Sequence, residues 1–122
     1  MKLMYIVIIL FLIVAGNGVA YIPEHAYLNA SGMYNGVQET VLLKKYSKPE
    51  REYIKPRYEF VGEYYVGIES VYRSTNPEFR NVPIKEMFWH LKVDLNLTCW
   101  LHYKNGQWIV ISYVFWPPGT LF

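Results

Sequence analysis

VDLNLTCWLHYKNGQWIVISYVFW, residues 93–116, is the stretch on which the fold turns. In its first half Val93, Leu95, Leu97, Cys99, Leu101 and Tyr103 alternate with Asp94, Asn96, Thr98, Trp100, His102 and Lys104. A period of two marks a strand with one buried face. Asn105-Gly106 follows, the preferred pair for a two-residue type I′ turn because both positions need positive φ. Residues 107–116 then return as a second strand, rich in β-branched and aromatic side chains. Such a turn predicts the pairs Tyr103 with Trp108, Leu101 with Val110, Cys99 with Ser112, Leu97 with Val114 and Leu95 with Trp116. That face is apolar apart from Ser112 and is expected to form the core. The opposite face gathers His102, Ile109, Trp100, Ile111, Thr98, Tyr113, Asn96 and Phe115. It is too apolar for an ordinary wet surface, so either another element covers it or it binds something. A lone hairpin is only marginally stable, which favours cover.

Upstream the pattern changes to helical spacing. Val37, Val41, Leu42 and Tyr46 predict a short helix over residues 36–46 with Asn35 as its cap, a strand over 40–46 being the competitor. Residues 44–57 form the most basic stretch, punctuated by Pro49 and Pro56, and read as a charged loop or a broken helix start. Phe60, Val61, Tyr64, Tyr65, Ile68, Val71 and Tyr72 fall on one helical arc, with Glu59, Glu63, Glu69 and Arg73 opposite. A helix over 60–72 is expected, and Gly67 near the edge of its apolar arc would admit close approach of another element. Pro83 followed by Ile84, Met87, Phe88 and Leu91 predicts a further short amphipathic helix. The expected class is α+β, with two or three short helices packed on a C-terminal antiparallel β-hairpin or small sheet.

The first twenty residues carry a different message. Met1-Lys2 is followed by an apolar run over residues 3–15, and Gly18-Val19-Ala20 supplies the small residues of a cleavage site. That is the order of a secretory signal peptide; the run is shorter than the roughly 20 residues a spanning helix needs. Cleavage after Ala20 would leave a single small globular domain over residues 21–122, periplasmic or secreted. A membrane would matter only if the N-terminal segment is retained. Cys99 is the sole cysteine, so no intramolecular disulfide can form, and a bridge between chains competes with a buried thiol. A net charge of +2 gives no basic excess for a nucleic-acid partner.

Catalytic signatures are sparse. Asp94 is the only aspartate, and Cys99 and His102, three residues apart on a strand, should face opposite ways. No histidine pair has metal-ligand spacing, and no phosphate loop or nucleophile elbow occurs. A non-enzymatic role is expected, with no cofactor and no metal.

Met33-Tyr34-Asn35-Gly36, Val41-Leu42-Leu43 and Tyr64-Tyr65-Val66-Gly67-Ile68, together with the N-terminal signal, are similar to the pattern of Tai-type periplasmic amidase immunity proteins. The resemblance covers the first half of the mature chain. Ser70 stands where the family has an acidic residue, and its cysteines are absent. No inhibitory residue is carried over. The resemblance implies a small periplasmic protein that neutralises a peptidoglycan-cleaving amidase.

The expected function is a small exported binding protein, most concretely an immunity or inhibitor protein that blocks a partner enzyme. Its partner would be another exported protein, an enzyme or toxin, and a homodimer stays open. Tyr, Trp and Arg are common interface anchors. The candidate binding residues are therefore Trp100, His102, Tyr113 and Phe115 on the hairpin, or Arg51, Tyr53 and Arg57 in the basic stretch. The alternative is a small-ligand carrier with an aromatic pocket on the hairpin face.

Overall fold

A computed structural model describes residues 33–122. The expected signal peptide lies outside the described residues. Four antiparallel strands run in sequence order across one sheet: β1 (Arg51–Pro56), β2 (Pro83–Lys92), β3 (Leu95–Lys104) and β4 (Gln107–Trp116). Helix α1 (Glu39–Tyr46) packs on one face. Residues 57–82 cover the other with 3₁₀ turns and one short helix, α2 (Val66–Glu69). The α+β class is observed, as a sheet clad on both sides.

The β3–β4 hairpin forms as read, and Asn105 (φ 54°) and Gly106 (φ 80°) both take the left-handed conformation the turn needs. Tyr103 pairs with Trp108 and Leu101 with Val110. Beyond that the register slips by one residue at Ile111, so Trp100 faces Ser112, Cys99 faces Tyr113 and Leu97 faces Phe115. The expected pairs of Cys99, Leu97 and Leu95 are thereby displaced. A β-bulge adds a residue to one strand and reverses the facing of everything after it. Tyr113 and Phe115 consequently join the α1-side core, while Val114 packs with the residue 57–82 side.

Four other readings are corrected. Residues 83–92 are a strand and no helix. Lys85, Met87 and Trp89 face α1 while Ile84, Glu86 and Phe88 face the other layer, and all six are buried. Burial on both faces erases the period of two, leaving the spacing of Ile84, Met87, Phe88 and Leu91 to imitate a helix. Residues 51–56 form edge strand β1 where a loop or helix start was expected; charged side chains are usual on an edge, where they discourage pairing with other chains. Residues 60–72 are no continuous helix. Gly62 sits at φ 118°, which ends the 3₁₀ turn Arg57–Glu59 and restarts the chain as Glu63–Tyr65 and α2. Helix α1 itself begins at Glu39, with Gln38 and not Asn35 at the N-cap position and no side-chain capping bond. Gly36 and Val37 instead bond the edge of β4 at Val110, each at 2.8 Å.

Two cores result. Leu42, Met87, Trp89, Leu97, Cys99 and Phe115 fill the α1 side; Phe60, Ile68, Ile84, Trp100 and Ile111 fill the other. Lys85 fastens α1 to the sheet through Glu39 at 2.6 Å, with Glu52 at 3.3 Å. Cys99 is fully buried, and burial pushes its thiol well above the ordinary range. The buried-thiol reading therefore fits, and an interchain bridge would require the core to open.

Gly67 does permit a close approach. A Cβ built there would lie 1.9 Å from Ser112 Oγ and 2.9 Å from Ser112 Cβ, so α2 can sit on β4 only without a side chain. Gly67→Ala should cost about 1–3 kcal/mol in urea unfolding through overpacking. Combining it with Ser112→Gly should recover most of that cost; a double variant as unstable as the single one would refute this contact as the cause.

Candidate functional site

Residues 57–80 line an open cleft of about 650 Å³ within the layer that covers the sheet's second face. Arg57 is its structural anchor. Its guanidinium is buried, donating from Nε to Tyr72 O (2.7 Å), from Nη1 to Phe60 O (2.9 Å) and from Nη2 to Glu69 Oε1. A planar fork with several donors can tie three separated points in this way; an ammonium cannot. Glu69 also accepts from Ser74 N–H at 2.6 Å. Hydrogen bonds from Ser74, with the Arg57 guanidinium, hold its carboxyl below the usual range. One turn-forming segment is thus pinned at its start, middle and end by a single side chain.

The lining combines exposed aliphatic side chains with free charge. Val61 is 77% exposed and Val66 66%, both beside Gly62 and Glu63. Arg80 places its guanidinium 4.3 Å from the centre of the Tyr58 ring, and the Tyr58 N–H donates to Arg80 O at 3.1 Å. Among the described residues, neither Arg73 nor Arg80 forms an ion pair. Pro77 opens the 3₁₀ turn Pro77–Phe79, capped by Asn76, whose side chain accepts from Glu78 N–H at 2.9 Å.

The sequence-derived candidates are distributed differently. Arg57 reaches the cleft, as its anchor. Tyr53 lies nearby, stacked on Phe60 at 6.4 Å, and burial together with its hydrogen bond to Glu86 raises its hydroxyl pKa. Arg51 lies over the Phe88 ring at 4.1 Å. Trp100 is 1% exposed and donates from Nε1 to the buried Glu86 carboxylate at 2.8 Å. Phe115 is buried in the α1-side core, and Tyr113 packs against that core with its hydroxyl accepting from Met33 N–H at 2.8 Å. His102 is half-buried, its Nδ1 2.6 Å from the Tyr72 hydroxyl. Burial, then nearby Lys104, lowers its pKa, which favours a neutral ring accepting from Tyr72. The aromatic hairpin face is therefore a covered core face. The carrier reading places its pocket on this face, where Trp100, Thr98 and Asn96 are buried.

Cys99 and His102 lie on opposite faces of β3, so thiol and imidazole do not meet. Among the described residues, no three His, Cys, Asp or Glu side chains cluster as metal ligands, and no helix is long and apolar enough to cross a membrane. Among the cleft residues, Val61 escapes a sequence reading because a continuous helix places it inside. Gly62 was the available signal. No protein-family model, curated protein or solved structure matches this chain.

Proposed function

We propose that this is a small exported binding protein that blocks a partner enzyme, with the cleft of residues 57–80 as its contact surface. The carrying observation is that two exposed valines and two unpaired arginines share a segment whose backbone is fixed by Arg57 and by the Gly67–Ser112 contact. Interfaces gain affinity from such preorganised apolar centres edged by arginine and tyrosine, because little freedom is lost on docking. The N-terminal signal supports export, and the resemblance to Tai-type immunity proteins supports an amidase as the target. A sparse catalytic inventory agrees with a role in binding.

The test is capture of a partner from the exported fraction of the source organism, with the partner's enzymatic activity as readout. Wild-type protein should retain one enzyme and lower its activity. The exposed pair Val61→Asp/Val66→Asp should weaken capture at least about tenfold while remaining folded. Equal capture by both forms would move the interface elsewhere, and capture of no enzyme would end the proposal.

A further inference from the structure

Resting on that reading of the cleft, we infer that the partner segment it receives is an acidic side chain flanked by aliphatic residues. The charges in the lining are unequal once internal pairs are removed. Glu69 is consumed by Arg57 and by the Ser74 N–H. What remains is Arg73 and Arg80 against Glu63, two positive charges facing one negative. Arg80 is held by its stack on Tyr58, and a guanidinium stacked through its face keeps its edge N–H groups for a carboxylate. Val61, Val66 and Pro77 line the same space and would gain nothing from an ion alone. A volume of about 650 Å³ suits a few side chains and not a single small anion. A ligand carrying a carboxylate between apolar groups satisfies both halves of this lining.

The experiment is an amide NMR titration of the full folded domain with a capped peptide, leucyl-glutamyl-leucine amide, whose single charge is the glutamate side chain. Its glutamine counterpart is the control. The expected result is saturable shifts at Val61, Val66, Arg73 and Arg80, with the glutamine peptide weaker by at least about threefold and only the glutamate peptide weakened by high salt. The double variant Arg73→Gln/Arg80→Gln replaces two exposed side chains, so its spectrum should remain that of a folded protein, and it should lose about tenfold in affinity. Equal affinity for the two peptides, shifts confined to other regions, no shifts at millimolar peptide, or full affinity in the folded double variant would each overturn the inference. If an enzyme is still captured through Val61 and Val66 while the acidic peptide is ignored, the inhibitor reading stands and this one falls.

Discussion

Arg57→Ala should cost about 3–5 kcal/mol of folding stability, the range expected when one member of a buried, hydrogen-bonded charge set is deleted. The loss is easy to locate. Phe60 O and Tyr72 O lose their donors, and an unsatisfied buried acceptor costs about 1–3 kcal/mol. Glu69, whose side chain is 42% exposed, can turn to water and adds little. Arg57→Lys should fall between wild type and alanine, because an ammonium cannot span the three acceptors. Urea unfolding of the three forms gives the ranking. A loss below about 1 kcal/mol for the alanine variant would mean that residues 57–80 hold their shape by other means.

Trp100→Ala should be comparably damaging, at about 3–5 kcal/mol, as befits a large ring removed from a filled core. The indole packs 5.1 Å from the Tyr64 ring and 5.8 Å from Tyr65, between the sheet and its cover. It also donates to Glu86, which is 2% exposed. Trp100→Phe separates the two contributions. It keeps most of the packing but strips a donor from a buried carboxylate, and should still cost about 1–3 kcal/mol. If the phenylalanine variant matches wild type in thermal and urea unfolding, the Glu86 bond contributes nothing net.

The sequence made the hairpin legible because its signals are local. Alternation, an Asn-Gly pair and a two-residue turn all lie within residues 93–116. The bulge at Ile111 was not legible, since nothing in an apolar run says which residue is extra. Strand β2 was lost for a related reason: a strand buried on both faces has no polar face to mark its period. Strand β1 was hidden by its charges, which suit an edge and a loop equally. The candidate site was half legible. Arg57 was chosen for its chemistry, but its role as an anchor depends on carbonyls three and fifteen residues away. Val61 was assigned to an interior that Gly62 prevents from forming.

Cladding the sheet on both sides has a consequence for how this chain can change over generations. Along β3, Leu95, Leu97, Cys99 and Leu101 serve the α1 side, while Thr98, Trp100 and His102 serve the side of the cleft. Neighbouring residues along the strand therefore answer to different packing constraints. Substitutions in separate, non-touching sets combine nearly additively, so changes on the cleft side should leave the stability supplied by the other layer nearly untouched.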